Sequence, residues 1–158
     1  MRLHFSILSI AMAAAFHVQP VAAQYSWNNL PVVQEPVFRK DTFNILRYGA
    51  KADGLSLNSD AINKAITAAS QRGGGVVLVP AGLWLTGPVV LKSNVELHLA
   101  KSALLQFTKD FDQYPLIETY YEGLAAVRCQ APVSAVDAEN IAITGSGIID
   151  GGGDAGAR

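Results

Sequence analysis

The hydrophobic pattern of the chain changes once, from a helical period to a strand period, and this change restricts the possible folds. Between Asn58 and Gln71 the apolar residues recur at the spacing of one helix face. They are Ala61, Ile62, Ala65, Ile66 and Ala69. From Val76 onward the chain consists of short runs rich in Val, Ile and Leu, separated by Gly, Pro, Ser or Asn. Because no second helical pattern of useful length follows, a doubly wound sheet of βαβ units is not expected.

Both ends of the predicted helix carry recognisable signals. We expect Asn58 or Ser59 to cap its N-terminus, since their side-chain oxygens can accept hydrogen bonds from free backbone N–H groups. Asp60 falls in the first turn, where a negative charge is favourable. "RGGG" at residues 72–75 ends the helix, because glycine adopts a left-handed conformation without steric penalty. The polar positions predicted to face away from the core are Asn63, Lys64 and Thr67.

Two asparagines precede two similar strands. Asn94 opens "NVELHL" and Asn140 opens "NIAITG", and their separation is 140 − 94 = 46 residues. This spacing suits two solenoid turns of about 23 residues each, and it suits equally one turn plus an inserted loop, "TKDFDQYPLIETYYEGLAAVR". Either interpretation predicts short strands that stack coil upon coil around a shared interior. We interpret the helix as the cover of the open first coil, with its Ala/Ile face against that coil.

The first 23 residues are predicted to be a removed export signal. Arg2 supplies the positive charge, "FSILSIAMAAAF" supplies a short apolar core, and Val21 and Ala23 are the small residues before a cleavage site at Gln24. A membrane-spanning helix needs about 20 apolar residues, and this run is interrupted earlier. An N-terminal anchor is the alternative interpretation.

Residues 24–42 are predicted to form an extended leader. Pro31 and Pro36 exclude a helix interior there, so the leader is expected to follow the surface or to pair as an edge strand. The mature chain is expected to be exported to the periplasm or the extracellular space, without membrane association after cleavage.

Composition excludes several classes of function. Half of the residues are hydrophobic and 16% are charged, which argues against disorder. A formal net charge of −1 gives no electrostatic basis for binding nucleic acid, although a local patch can be hidden in a balanced total. Cys129 is the only cysteine, so no intrachain disulfide is possible. Because no histidine pattern lies near it to activate the thiol, Cys129 is expected to be buried.

Three segments together resemble a known family. "FNILRYGAKADGLSLNSDAINKAI", "GGGVVLVPAGLWLTGPVVLKSNVELHLAKSALLQF" and "NIAITGSGIIDGGGD" are similar to the N-terminal coils of the polygalacturonases, glycoside hydrolase family 28, from Phe43 to Asp154. The resemblance implies that residues 43–158 form N-terminal coils of a right-handed parallel β-helix, mainly β with one capping α-helix. It also implies a parent activity that hydrolyses galacturonosyl or rhamnogalacturonan linkages in pectic polysaccharide, with inversion.

The catalytic signatures of that family are absent from the sequence. The family carries an N-T-D strand, an adjacent D-D pair, a G-H-G histidine and an R-x-K, whereas here "NSD" at residues 58–60 is explained by helix capping. Inverting glycosidases need two carboxylates about 6.5–9.5 Å apart. We therefore expect no catalytic residue in this chain, no cofactor and no metal. We interpret it as an N-terminal portion, ended by truncation or frameshift at "GGGDAGAR", and inactive alone.

A few side chains are candidates for other roles. Tyr120 and Tyr121 in "TYYEG" are predicted to bind substrate, because an aromatic face can stack on a sugar ring. Trp84 is expected to pack against the cap or a neighbouring coil. Glu96 and His98 alternate with apolar neighbours and are expected to be solvated.

The glycine-rich end of the chain is better explained by turns than by ligand binding. Asp150 is interpreted as a turn residue bonded to backbone amides, with a calcium site built on Asp150 and Asp154 as the alternative. "GSG" at residues 145–147 is followed by a strand rather than by a helix, so a dinucleotide site is not expected.

Two other functions on the same scaffold stay open from the sequence. One is a non-catalytic carbohydrate-binding or adhesive β-helix of the tailspike kind, and the other is a polysaccharide lyase. In each case the expected partner is a pectic polymer. Because an unpaired last coil exposes apolar strand edges, self-association through that coil is also expected.

Overall fold

The computed structural model describes Leu30 and residues 32–153. The predicted export signal and Asp154 lie outside the described residues. The chain divides into two units, residues 1–34 and 35–158, and the second unit contains every element described below. Of the predicted leader, residues 32–41 contain no helix or strand, and the first strand begins at Thr42.

The described part of the chain contains one α-helix, two 3-10 turns and short strands. The helix α1 is Ser59–Gln71, and the 3-10 turns are Ile45–Tyr48 and Phe111–Gln113. The strands are β1 Thr42–Asn44, β2 Gly75–Val79, β3 Gly82–Thr86, β4 Val89–Leu91, β5 Val95–Leu99, β6 Ala103–Phe107, β7 Leu116–Tyr121, β8 Leu124–Cys129, β9 Val133–Ala135, β10 Ala142–Gly145 and β11 Ile148–Asp150. Within this part of the chain, no helix is long and apolar enough to span a membrane.

Most strands belong to three parallel sheets. Sheet A has the order β1-β2-β5-β10, sheet B the order β3-β6-β11, and sheet C pairs β4 with β9. An isolated parallel bridge from Asp53 to Leu83 adds the first coil to sheet B. Following the chain visits the sheets in the order A, B, C, one coil after another. The result is the predicted right-handed parallel β-helix, covered at one end by α1.

The register distinguishes between the two interpretations of the asparagine spacing. Gly75 pairs with Val95, so an uninterrupted coil adds 20 residues (95 − 75). Glu96 pairs directly with Ala142, 46 residues later (142 − 96), so that coil carries an insertion. Two regular turns of 23 residues are therefore wrong, and one turn plus an excursion is confirmed. The excursion is the antiparallel pair β7–β8.

The two asparagines themselves form a ladder at one corner of the coils. Asn94 and Asn140 both have positive φ, 65° and 52°, which asparagine tolerates better than most residues. Asn140 Nδ2 donates a hydrogen bond of 3.0 Å to Asn94 Oδ1. These two coils therefore turn the corner at the same kind of residue, and the two turns are joined by their side chains. In the coil of β2 the equivalent position is Gly74.

The core is a column of inward-facing side chains. In β2, β5 and β6 every second residue is buried, as a strand with one face on the core requires. Trp84 is buried as predicted, and its Nε1 donates a 2.7 Å hydrogen bond to the Pro80 carbonyl. The fully buried large side chains include Trp84, Phe107, Ile45, Ile62, Ile66, Leu97, Leu99 and Leu105.

The helix α1 closes this column, as predicted. Its buried residues are the predicted stripe of Ala61, Ile62, Ala65, Ile66 and Ala69. The helix packs against β1, β2, β4, β5 and the Ile45–Tyr48 turn. The small alanines let the helix approach the coil closely. Ile62 and Ile66 fill the space that is left between the helix and the coil.

The prediction that Asn58 or Ser59 caps α1 is wrong. Asn58 occupies the N-cap position but makes no side-chain capping bond. It is buried, accepts a 2.7 Å hydrogen bond from the Lys51 amide and donates a 3.0 Å bond to the Leu85 carbonyl. The Ser59 hydroxyl accepts a 2.6 Å bond from the Gly87 amide. Both side chains fix the loop before the helix to the end of β3.

The prediction that Asn63 faces away from the core is also wrong. Asn63 Nδ2 donates a 2.9 Å hydrogen bond to the Pro88 carbonyl, and its Oδ1 accepts one of 2.9 Å from the Val90 amide. These two bonds satisfy backbone groups at the edge of β4. The cap is therefore attached to the coil by polar bonds as well as by apolar contact.

Truncating the cap should destabilise the whole fold. Replacing the fully buried Ile66 with alanine leaves a cavity against the first coil, so we expect Ile66→Ala to lower the free energy of unfolding by about 2–4 kcal/mol. Urea denaturation followed by circular dichroism measures this. Lys64→Ala, on the exposed side of the same helix, is the control, with an expected change within about 0.5 kcal/mol. Equal effects of the two substitutions would show that α1 does not seal the core.

Candidate functional site

A cavity lies beside the β7–β8 hairpin, which is inserted between β6 and β9. Its volume is about 610 Å³, within the range of small-molecule sites. Three separate segments form its wall: the residues around the Phe111–Gln113 turn, the hairpin with the residues that follow it, and the turn after β11. The lining residues are Thr108, Lys109, Phe111, Tyr114, Ile117, Thr119, Tyr120, Arg128, Cys129, Gln130, Ala131, Pro132, Gly151, Gly152 and Gly153.

The hairpin is set by a two-residue turn. Tyr121 pairs with Leu124, and Leu116 pairs with Cys129 at the other end. The turn residues Glu122 and Gly123 both have positive φ, 51° and 83°. Positive φ at both positions is typical of the tight turns whose twist matches paired antiparallel strands. The sequence did contain this signal, "EG" between two apolar runs, although the segment was predicted to be a loop.

The structure places the two predicted substrate-binding tyrosines differently. Tyr120 is 78% exposed and lines the cavity. The Tyr121 ring lies under the Arg128 guanidinium, 4.6 Å from it, and is not among the residues that line this cavity. Adjacent strand residues point to opposite faces, so the two rings cannot both face the same ligand in the same way. Their role in binding stays a prediction.

The cavity wall is cationic although the chain as a whole is not. Lys109 and Arg128 line it, and none of its lining residues is acidic. Asp150, which directly precedes the lining residue Gly151, has a perturbed pKa. The pKa of Asp150 is lowered, first by a 3.0 Å hydrogen bond from the Gly152 amide, then by one of 3.0 Å from Gln106 Nε2, and finally by the charge of Lys109. Asp150 is thus the predicted turn residue, and it stays ionised.

The prediction that Cys129 is buried is wrong. Cys129 is exposed and lines the cavity. It ends β8, a strand that lies outside the stacked coils, so its alternating pattern does not reach the core. The Tyr114 side chain is held in place, since its hydroxyl donates a 2.7 Å hydrogen bond to the Thr108 carbonyl. Burial raises the pKa of Tyr114.

A second polar cluster lies on the outer face of sheet A. Glu96 and His98 were expected to be solvated, and they instead join the next coil through Thr144. The Thr144 hydroxyl donates a 2.5 Å hydrogen bond to Glu96 Oε1, and His98 Nδ1 lies 2.8 Å from the same hydroxyl oxygen. Because the hydroxyl's one proton goes to Glu96, His98 Nδ1 must carry the proton of the second bond. The cluster links two coils and does not line the cavity.

No metal site is formed by residues 32–153, where no group of three His, Cys, Asp or Glu side chains converges. The alternative calcium site required Asp154, which lies outside the described residues. The glycines around Asp150 therefore serve a turn in the part of the chain that the structure describes.

The order of elements and the stacking register are those of a known family. A family model described as rhamnogalacturonase A/epimerase, pectate lyase-like, matches residues 42–123. The chain belongs to this family. The matched residues run from β1 to the hairpin turn, so they include the cap helix and the strands β1 to β7.

Named relatives agree with the predicted resemblance. The chain is 40% identical over 118 residues to the exo-poly-α-D-galacturonosidase of Dickeya chrysanthemi, an alignment covering 70% of this chain and 19% of the relative. A hyperthermoactive exopolygalacturonase from Thermotoga maritima matches with a TM-score of 0.69 and 42% identity, over 75% of this chain and 27% of that one. A family 28 exopolygalacturonase from Yersinia enterocolitica matches with a TM-score of 0.65 and 34% identity, over 72% and 21%.

These matches confirm the family and the β-helix fold. They also set a limit, because the chain spans only about a fifth of the length of the Dickeya relative, 19%. The activity of the whole protein is therefore proposed and is not taken from these matches.

Proposed function

We propose that these coils are the N-terminal part of an exported glycoside hydrolase that cleaves galacturonosyl linkages in pectin with inversion of configuration. The observation that carries the proposal is the match over residues 42–123 to a family of pectin-active proteins. The names of the Dickeya and Thermotoga relatives support galacturonan as the polymer.

Asp53 and Asp150, two carboxylates with perturbed pKa values, support the expectation that the chemistry is supplied elsewhere. A general acid for glycoside cleavage needs a raised pKa. Asp150 has a lowered pKa. The pKa of Asp53 is about 2, because the Ser56 amide, the Ser56 hydroxyl and the Leu55 amide all bond to its carboxylate. Both groups stay ionised at neutral pH and are engaged in turns, so neither is suited to protonate a leaving oxygen.

We propose a supporting role for the coils themselves. The cap helix closes the core, and the hairpin with Tyr120 and Tyr121 contacts the pectic polymer. An exposed aromatic ring offers a flat apolar surface for the face of a sugar, and Tyr120 is 78% exposed at the cavity.

Residues 24–158 alone should show no hydrolysis of pectin. We expect the purified polypeptide to release no reducing ends from polygalacturonate and to produce no absorbance from an unsaturated uronate. The reason is that the N-T-D, D-D and G-H-G signatures are absent from its sequence. Reducing-end and absorbance assays on one preparation measure both, with a complete polygalacturonase as the positive control.

Each contrary result points to a different function. Release of reducing ends would contradict the assignment of catalysis to other coils, and an unsaturated product would identify a lyase. The reading frame beyond codon 158 gives a further test. If it restores no catalytic signature and the polypeptide binds the polymer tightly, the non-catalytic carbohydrate-binding alternative is favoured. If the frame restores N-T-D, D-D and G-H-G, and the protein expressed from it hydrolyses polygalacturonate, the proposal is supported.

The last described coil also supports the proposed self-association. Ile143 aligns with Leu97, and Ile149 aligns with Leu105. The two isoleucines are 44% and 41% exposed, whereas both leucines are 0% exposed. Inward-facing side chains and unpaired strand edges are thus open at this end, a pattern that favours edge-to-edge association.

A polypeptide of residues 24–158 should therefore form oligomers at micromolar concentration. Sedimentation velocity measures this, and the double substitution Ile143→Lys, Ile149→Lys should shift the population to monomer. Ile148→Lys is the matched control, since Ile148 neighbours the inward Ile149 on β11 and is already 63% exposed. A wild-type monomer across the concentration range would contradict the proposal.

A further inference from the structure

The cavity beside the hairpin has the composition of a site for an acidic sugar. Two cationic side chains and three aromatic ones line it, without a carboxylate in the wall: Lys109, Arg128, Phe111, Tyr114 and Tyr120. A chain with a formal net charge of −1 has no general excess of cations to place there. We infer that this cavity binds the carboxylate of a uronic-acid residue, with Arg128 as its principal charged contact.

The position of Arg128 suits this role. Its guanidinium carbon lies over the Tyr121 ring, 4.6 Å from the centroid, in a cation–π contact. Among the described residues no carboxylate forms an ion pair with it. A planar fork of N–H donors matches the two oxygens of a carboxylate.

The remaining walls fit the rest of a sugar ring. Phe111 and Tyr120 are 61% and 78% exposed. Arg128 pairs with Ile117 and so shares the hairpin face of Tyr121, whereas Tyr120 lies on the opposite face. Phe111 is therefore the exposed ring that is available to a sugar bound at Arg128. Tyr114 is fixed by its 2.7 Å bond to the Thr108 carbonyl and forms a more rigid part of the wall. Aromatic faces bind the apolar face of a sugar whatever its charge. Discrimination in favour of an acidic sugar therefore depends on the cationic side.

The nearby carboxylate of Asp150 acts on Lys109. Its oxygens accept hydrogen bonds of 3.0 Å from the Gly152 amide and from Gln106 Nε2, and the charge of Lys109 also lowers its pKa. Asp150 is absent from the cavity wall. Lys109 therefore shares its charge with the turn after β11, which leaves Arg128 as the principal cation for a bound carboxylate.

The site lies on the β7–β8 hairpin, which is inserted between β6 and β9. Within the described residues, no other coil carries such a hairpin. An insertion of this kind can contact a polymer that passes along the outside of the stack. The inference rests on the proposed function only in taking galacturonate as the uronate, and the two are tested separately below.

The test is isothermal titration of the full chain with three oligosaccharides of equal length: oligogalacturonate, its methyl ester and oligomannuronate. We expect oligogalacturonate to bind at least about tenfold more tightly than its ester, because esterification removes the charge. Arg128→Gln should abolish that difference, and Arg128→Lys should retain part of it through charge without the planar fork. Arg47→Gln is the control, since Arg47 is an exposed cation on the Ile45–Tyr48 turn.

The outcomes separate the site from the function. Equal affinity for acid and ester, unchanged binding by Arg128→Gln, or no binding of either uronate oligomer would overturn the inference. If the wild type and Arg128→Gln bind oligogalacturonate with the same affinity, the cavity is not the binding site, and the proposed pectin function is not contradicted. Binding of oligomannuronate alone, lost in Arg128→Gln, would support the uronate site and contradict galacturonan as the polymer. Unfolding midpoints of each variant verify that the variants are folded.

Discussion

The parallel register between successive coils is the constraint on which the rest of the structure depends. Val77, Leu97 and Ile143 occupy the same position in sheet A, one coil after another. A slip of one residue would turn every inward side chain of a strand outward. The hydrogen bond between Asn94 and Asn140 at the corner and the left-handed backbone at both residues keep the coils of β5 and β10 in step. Gly145 is part of the same constraint, because a Cβ there would collide with the Leu99 carbonyl oxygen.

This register explains where the candidate site can be. The strands of the coils pack on one face and pair with the neighbouring coil, and β2, β5 and β6 pair on both edges. A change within these strands would therefore disturb the stack. An insertion between sheets B and C leaves all three registers intact, and the β7–β8 hairpin is placed there. Its side chains lie outside the core, which is why Tyr120, Arg128 and Cys129 are exposed. Connecting segments on a rigid scaffold are where binding residues usually occur.

Local sequence was sufficient for the parts of the fold that depend on local period. The Ala/Ile stripe predicted α1, and alternation predicted the strands and the burial of Trp84. It was insufficient where a side chain has two possible partners. Asn58 was expected to cap the helix, but its oxygen and nitrogen instead bond to Lys51 and Leu85. The second partner is 27 residues away, so nothing in the neighbouring sequence indicates it.

The candidate site was harder to predict for the same reason. Its wall combines residues from the segments around Lys109, Arg128 and Gly152, which only the coil register brings together. Sequence proposed Tyr120 from its chemistry but could not separate it from Tyr121, because the faces of the hairpin depend on a turn that was interpreted as loop. Arg128 was missed because a single arginine in an apolar strand has no distinguishing pattern.

Amide hydrogen exchange measured by NMR tests the stacked-coil account most directly. Strand β5 lies between β2 and β10 with pairing on both edges, so its amides should exchange slowest, through global unfolding only. The β7–β8 hairpin is paired to no coil within the described residues and should exchange orders of magnitude faster. If the hairpin amides were as protected as those of β5, or if β5 exchanged as fast as an exposed strand, the chain would not be the capped stack of coils described here.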